Sequence, residues 1–345
     1  MKLSFNKCKA RLTQYVPLLA VLPERDSLKA IAIASGLVLG LWMSGCSPTP
    51  PDERSQINAT PNPTNSVNPA KKDKKVILTT FTVIADMGQN VAGDKAIVES
   101  IVKPGSEIHG YEPTPSDLVR AQKADLILDN GLNLERWAEK FYNNIPKVSH
   151  ITLSQGVQPV EVAEDAYKGK PNPHAWMSPQ NALTYVENIR KALVDLDPVN
   201  ADTYKTNAQA YSQKIKEIDQ KLRKELSVVP PEKRYIVSCE GAFSYISRDY
   251  GLKEVYLWAV NSEQQATPKQ VEKVINTVKA NKIPVVFCES TVNDDAQRQV
   301  AKETGAKFGG VFYVDSLSKP DGPAPTYLKL LEHNVTTLIK GLQRK

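Results

Sequence analysis

The chain has 345 residues, which is the length of about two domains. Its composition, with 41% hydrophobic and 24% charged residues, is that of an ordinary globular protein. The formal net charge is +6, but residues 1–45 contain six Lys or Arg against two acidic residues, so about +4 of the total lies there. The rest of the chain carries about +2, without a basic stripe. The charge pattern therefore argues against a nucleic-acid-binding protein.

The first 45 residues have the pattern of an export signal. Basic residues precede an apolar run at 30–43, which is too short for a transmembrane helix and typical of a signal peptide. The run ends in Met-Ser-Gly-Cys, which resembles a bacterial lipobox except that Met stands where Leu is usual. We predict a signal peptide at 1–45 and lipidation of Cys46. The alternatives are a secreted protein without lipid and a protein that keeps its leader as an anchor.

Residues 46–75 are predicted to be a disordered tether after the lipidated cysteine. The stretch contains six prolines, many Asn, Ser and Thr, and no aromatic residue. Such a composition cannot bury a hydrophobic core. As a flexible chain it would reach about 30 Å, enough to hold a folded domain away from a membrane surface.

From residue 76 onward, strand and helix patterns alternate. The predicted strands are 76–81, 96–102, 125–129, a short one near 151, 234–239, 254–258, 284–289 and 307–313. Helices are predicted between them, and the Thr-Pro pair at 114–115 is a typical helix start with an acidic residue in the first turn. This alternation predicts an α/β fold with parallel sheets that are covered on both faces.

One long helix is predicted between the two halves of this pattern. From Pro198 to Leu226, apolar residues recur every three or four positions and so lie on one stripe. Asp197 is expected to cap its start, and the Pro-Pro pair at 230–231 to stop it. A helix of this length spans about 40 Å. We therefore predict an N-terminal lobe at 76–197, a spine helix at 198–228 and a C-terminal lobe at 229–345.

Four polar residues are candidate metal ligands. His109, Glu240 and Asp315 each follow a predicted strand, and His174 lies in a proline-rich loop before a helix. Because ligands of open α/β folds bind beyond the carboxyl ends of strands, a cleft between the lobes could gather all four. Two neutral imidazoles and two carboxylates balance a divalent cation, and this set suits Mn²⁺ better than a tetrahedral zinc site. Taken singly, each residue is more often a surface or core residue than a metal ligand.

The segments around these residues resemble the metal-binding receptors of bacterial ABC importers for manganese and zinc. The matching segments, 109–117 and 172–176 and the contexts of Glu240 and Asp315, have the same order and similar spacing. The resemblance implies two (β/α) lobes joined by a rigid helix, with limited closure and a metal at the lobe interface. The residues that match the family's ligands are His109, His174, Glu240 and Asp315.

The resemblance also implies a binding protein rather than an enzyme. Its partners would be an ABC permease and the associated ATPase, and its place the periplasmic side of the cytoplasmic membrane. We expect a monomer. A metal-dependent hydrolase is the rival from another class, but the sequence has no HExxH, G-x-S-x-G or P-loop motif. A structural lipoprotein in which the metal only stabilises the fold is the third alternative.

The choice of metal depends on two departures from the zinc receptors. Those proteins tend to have a third His where Glu240 stands, and often a His-rich loop between the first two ligands. This chain has no His between His150 and His174. Both departures favour Mn²⁺, as does the resemblance of the paired cysteines to cyanobacterial manganese-binding members. Zn²⁺ and Fe²⁺ stay open, since Zn²⁺ normally binds such ligands more tightly than Mn²⁺.

Cys239 and Cys288 are the two cysteines that remain after the leader and Cys46. Disulfides persist in exported proteins, and both residues end predicted strands that could be neighbours. The bond would be a structural cross-link worth roughly 4 kcal/mol for a loop of about 50 residues. Alternatively, because Cys239 precedes Glu240, the state of the bond could move this ligand and change metal affinity.

Changing Cys46→Ser tests the lipid anchor. The variant lacks the thiol that would carry the lipid, so we expect it to leave the membrane fraction and appear as soluble exported protein. Fractionation of cells that express the wild type and the variant measures this. A variant that stays with the membrane would contradict lipidation of Cys46.

Overall fold

The computed structural model describes residues 74–260 and 266–343. The predicted signal peptide, Cys46 and nearly all of the tether lie outside the described residues. Within the part of the chain that the structure describes, none of the helices combines the length and the apolar character needed to cross a lipid bilayer.

The first half contains one parallel four-stranded sheet. Its strands are β1 (Lys75–Thr79), β2 (Ala96–Ser100), β3 (Leu126–Asp129) and β4 (His150–Thr152), in the order β2-β1-β3-β4. The helices of this half are α1 (Thr82–Ala92), α2 (Pro115–Gln122) and α3 (Ala138–Tyr142). The predicted start of α2 is confirmed, because Thr114 and Asp117 form a capping box in which each side chain accepts the backbone N–H of the other.

Two helices connect this half to the next: α4 (Pro179–Leu196) and α5 (Ala201–Ser227), the latter preceded by a 3₁₀ turn. The predicted spine helix is therefore present as α5. Its buried stripe consists of Tyr204, Ala208, Tyr211, Ile215, Ile218, Leu222 and Leu226, and it packs against α1, α4 and α9 (Tyr327–Leu342).

The predicted cap of the spine helix is wrong. The Asp197 carboxylate makes no side-chain capping hydrogen bond. It accepts hydrogen bonds from the Tyr204 hydroxyl at 2.8 Å and from Asn200 Nδ2 at 2.6 Å. The 3₁₀ turn before α5 brings these two side chains to the carboxylate, which sequence spacing does not reveal.

The second half contains two parallel strand pairs. They are β5 (Tyr235–Glu240) with β6 (Lys253–Trp258) and β7 (Val285–Glu289) with β8 (Lys307–Phe312), and the remaining helices are α6 (Ser244–Tyr250), α7 (Pro268–Ala280) and α8 (Asp295–Thr304). β5 and β7 are neighbours, and the Gln297 amide donates to a carbonyl of each, Val237 at 3.1 Å and Phe287 at 2.8 Å. The predicted α/β class with parallel sheets and one long helix is confirmed.

The core contribution of the spine helix can be tested with Ile215→Ala. Ile215 is fully buried, so its truncation should lower the free energy of unfolding by about 2–5 kcal/mol. Val199→Ala is the control, because Val199 is 83% exposed and should change the value by less than about 0.5 kcal/mol. Urea unfolding measures both. Equal effects of the two substitutions would contradict the packing of α5.

Candidate metal centre

His109 lies in the loop after β2. The Glu107 carboxylate accepts the backbone N–H groups of Ile108 and His109, both at 3.0 Å. The Trp137 indole N–H donates to the Ile108 carbonyl at 3.1 Å. These hydrogen bonds hold the backbone at and directly before the buried His109, which restrains the position of its imidazole.

His174 lies in the loop before α4 and is fully buried. Asn172 Oδ1 accepts its backbone N–H at 3.0 Å and lies 3.0 Å from its ring nitrogen Nδ1. The ring also contacts Trp176, with 5.2 Å between the ring centroids. His174 is thus held by its own loop.

Glu240 is the last residue of β5, which brings its carboxylate to the carboxyl end of the strand, where ligands of α/β folds bind. It is buried, and its backbone N–H donates to Glu289 Oε2 at 3.1 Å. Glu289 ends the neighbouring strand β7. An acid from the next strand therefore supports the backbone of this candidate ligand.

Asp315 follows β8 and is 1% exposed. Neither of its carboxylate oxygens accepts a hydrogen bond. Its loop is held by groups of the first half of the chain: the Trp176 indole N–H donates to the Val314 carbonyl at 3.1 Å, and the Gly105 N–H donates to the Ser316 hydroxyl at 2.6 Å. A buried carboxylate without hydrogen bonds is costly, so the site suits a cation.

The four candidate side chains converge, and one ligand atom from each lies within 4.8 Å of the others. His109 Nε2 is 3.3 Å from His174 Nε2, 3.4 Å from Glu240 Oε1 and 3.7 Å from Asp315 Oδ2. His174 Nε2 is 3.4 Å from Asp315 Oδ1. Two imidazole nitrogens that face each other at this distance need a proton or a cation between them, because two lone pairs repel. The arrangement can therefore hold one metal ion.

Burial controls the charge of the cluster. Burial lowers the pKa of His174 to about 3, so this imidazole is neutral. Burial raises the pKa of Asp315, and the nearby His109 partly opposes that shift. Burial also raises the pKa of Glu107, with repulsion from Asp315 as the next cause. A divalent cation among these groups would relieve both the repulsion and the cost of burial.

A cavity of about 1050 Å³ leads to the cluster. His109 and Glu240 line it together with further acidic side chains, namely Glu107, Glu112, Glu272 and Asp295. Its apolar lining comes mainly from α7, α8 and Trp258. Acidic groups around an entrance raise the local concentration of cations. The cavity is therefore a suitable route for a metal ion.

The structure brings His109, His174, Glu240 and Asp315 together, as the sequence predicted, and their role as ligands stays a prediction. Sequence reasoning missed Asn172. The signal was available, because an Asn two residues before a candidate His ligand can accept from that ring. The sequence did not indicate its contacts with the other half of the chain.

The predicted disulfide is present. Cys239 and Cys288 are bonded, with 4.9 Å between their Cα atoms, and the bond joins β5 to β7. Each cysteine directly precedes an acid of the site, Glu240 or Glu289. A structural cross-link is therefore shown, whereas an effect of the bond's redox state on Glu240 stays a prediction.

A family model described as zinc-uptake complex component A, periplasmic, matches residues 77–341. The chain belongs to this family. Its members are substrate-binding proteins of ABC transporters, not enzymes, so the predicted resemblance is confirmed and the hydrolase interpretation is excluded.

Relatives of the chain are named for different metals. Iron-binding protein YfeA of Yersinia pestis is 58% identical over 275 residues, which is 79% of this chain and 88% of that protein. The manganese ABC transporter substrate-binding lipoprotein PsaA of Streptococcus pneumoniae is 34% identical over 282 residues, 80% of this chain and 91% of that protein. An Mn-bound periplasmic metal-binding protein from Candidatus Liberibacter asiaticus has 47% identity and a TM-score of 0.73, covering 78% of this chain and 100% of that one. The comparisons therefore agree on divalent metal binding for import, but they do not agree on which ion is bound.

Two buried acids outside the cluster make the metal-free protein sensitive to pH. Burial raises the pKa of Glu254 to about 7, and burial together with repulsion from Asp129 raises that of Glu135 to about 7. Between the ordinary value of 4.5 and about 7, the folded state binds protons that the unfolded chain has released, so stability falls as pH rises. We expect the melting temperature of the metal-free protein to rise as pH is lowered from about 8 to about 6.5.

Below about 6.5 the rise should become shallower but continue toward 4.5, because the lowered pKa of the single His174 only partly offsets the raised pKa values of the two carboxyls. Calorimetry across this pH range measures the effect, and Glu254→Gln should flatten it. A melting temperature that falls steadily from about pH 8 to about 6.5 would contradict the raised pKa values.

Proposed function

We propose that this protein is the extracytoplasmic receptor of an ABC importer and that its substrate is Mn²⁺. The observation that carries this is the convergence of His109, His174, Glu240 and Asp315, with both Asp315 oxygens buried and without a hydrogen bond. In this proposal each of the four side chains ligates the ion. The ion arrives through the acidic cavity and leaves to the permease, which the ATPase drives.

The donor set supports Mn²⁺. Two carboxylates supply hard oxygen ligands and can bind through one or both oxygens, which favours Mn²⁺ over a tetrahedral thiolate or imidazole site. The Mn-bound relative at 47% identity also supports it. Fe²⁺ is the second candidate, because the relative at 58% identity is named as iron-binding. Zn²⁺ would bind as a competitor, so selectivity would depend on geometry and supply.

The same proposal includes the parts of the chain around the site. Residues 1–45 direct export, Cys46 carries the lipid, and the tether holds a monomeric receptor on the periplasmic side of the membrane. Lobes at 76–197 and 229–345 flank the spine helix at 198–228. The relative from Streptococcus pneumoniae is named as a lipoprotein, which supports the anchor. Hydrogen bonds between the two halves beside the cluster support a small rather than a large movement on metal release.

Equilibrium titrations with Mn²⁺, Fe²⁺ and Zn²⁺ test the substrate. We expect one Mn²⁺ per chain and a loss of affinity of more than about 100-fold in Asp315→Asn, since even an outer partner of a ligand is worth about 10–100-fold. Asp202→Asn is the control, because its side chain is 97% exposed on the spine helix. Tight Fe²⁺ binding with weak Mn²⁺ binding would favour the second candidate, and no stoichiometric metal would contradict both.

Uptake by cells separates transport from a structural role of the metal. A strain that lacks the protein should accumulate less Mn²⁺, and uptake should be restored by the wild type and Asp202→Asn but not by Asp315→Asn. Normal uptake in the deletion strain would contradict an import receptor and favour a structural lipoprotein. Full restoration by Asp315→Asn would contradict the role of Asp315 as a metal ligand.

A further inference from the structure

One buried side chain, Asn172, contacts both halves of the candidate metal cluster. It is 1% exposed and lies two residues before His174. Its amide nitrogen donates to the Gly241 carbonyl at 2.6 Å and to the Ser244 hydroxyl at 3.1 Å. Gly241 directly follows Glu240. A single amide therefore lies between a candidate ligand of the first half and one of the second.

The orientation of this amide is fixed by its partners. The Gly241 carbonyl can only accept, so the NH₂ group of Asn172 must face it. The Ser244 hydroxyl donates to Glu254 Oε2 at 2.6 Å, which leaves its oxygen free to accept from Asn172. Both partners on this side thus require the amide nitrogen. The Asn172 oxygen must face the other way, toward His174.

This orientation determines the tautomer of His174. Asn172 Oδ1 can only accept, and it lies 3.0 Å from His174 Nδ1. The neutral ring therefore carries its proton on Nδ1. Nε2 keeps its lone pair, and Nε2 is the atom that faces His109 at 3.3 Å and Asp315 at 3.4 Å.

The second contact restrains the segment after Glu240. Besides Asn172, Glu254 holds this segment by accepting the Phe243 N–H at 2.8 Å and the Ser244 hydroxyl. The backbone of Asn172 is held in return, since the Tyr245 hydroxyl donates to its carbonyl at 2.6 Å. The bonds run in both directions between the two loops, so a shift of one loop strains the other.

We propose that Asn172 is a positioning residue that sets the Nδ1–H tautomer of His174 and, through Gly241, fixes Glu240. It thereby couples a metal ligand of one half to a metal ligand of the other. The part that concerns metal affinity rests on the proposed function, whereas the tautomer and the Gly241 contact are properties of the metal-free protein.

Nitrogen NMR of the metal-free protein tests the tautomer. With ¹⁵N-labelled histidine, His174 of the wild type should show a protonated Nδ1 and an unprotonated Nε2. In Asn172→Ala the ring should populate the Nε2–H tautomer. A wild-type ring protonated on Nε2, or no change in Asn172→Ala, would overturn the proposal.

Zinc titrations test the coupling, since Zn²⁺ binds N/O sites tightly enough to follow weakened variants. Asn172→Ala should lose about 10–100-fold in affinity. Asn188→Ala is the control, because the Asn188 amide donates to the Leu153 and Gln155 carbonyls, which lie outside the cluster. The zinc affinity of this control should match that of the wild type. The double variant His174→Ala/Asn172→Ala should bind Zn²⁺ at least about threefold more weakly than His174→Ala alone, because the segment that holds Glu240 is released.

The coupling would be overturned if Asn172→Ala binds Zn²⁺ as tightly as the Asn188→Ala control, or if the substitution does not change zinc affinity in the His174→Ala background.

If Asn172→Ala does not fold, Asn172→Asp is the second variant, because it keeps the acceptor for His174 but cannot donate to Gly241. That variant should retain the Nδ1–H tautomer and shift the ¹³C signal of the Gly241 carbonyl, which loses its donor. An unshifted carbonyl signal would contradict the second contact. A wild type that binds neither Zn²⁺ nor Mn²⁺ would remove the proposed function, and the NMR result would still stand or fall separately.

Discussion

The central constraint on this protein is the burial of two carboxylates, Glu240 and Asp315, against imidazoles. Burial keeps His174 neutral and opposes ionisation of Asp315, whose oxygens have no hydrogen-bond donors. Placing such groups together costs free energy that a divalent cation can offset, because its charge pairs with both carboxylates and its vacant orbitals accept the imidazole lone pairs. Much of the surrounding structure holds these groups close in spite of that cost.

The support comes from hydrogen bonds that cross between the two halves of the chain. Trp176 and Gly105 of the first half hold the loop of Asp315, and Asn172 holds the segment after Glu240. The segment beside each carboxylate of the second half is therefore held by a side chain, Trp176 or Asn172, that also contacts the His174 imidazole. The spine helix also connects the two halves, because it packs against α1 and α4 of the preceding part of the chain and against α9 of the second half. Such an arrangement pre-forms the site, so that binding energy is not spent on large rearrangements.

Features with a local or periodic signal could be predicted from the sequence, and features made by distant side chains could not. The buried stripe of α5 follows from its 3.6-residue period, and the start of α2 follows from Thr114 and Asp117. Three of the four cluster residues follow predicted strands and His174 lies in a loop before a helix, and the family resemblance indicates all four. The contact of Asn172 with Gly241 spans 69 positions and leaves no periodic trace. The predicted Asp197 cap is wrong for a different reason: its partners Asn200 and Tyr204 are near in sequence, but a 3₁₀ turn that the periodicity does not indicate brings them to the carboxylate.

Anomalous diffraction from crystals of the protein grown with Mn²⁺ measures most directly whether the cluster is one metal centre. The expected result is a single strong manganese peak at about 2.0–2.4 Å from Nε2 of His109 and of His174 and from carboxylate oxygens of Glu240 and Asp315. A peak elsewhere on the protein, or a cluster without a metal at saturating Mn²⁺, would contradict the assignment of these four side chains to manganese binding.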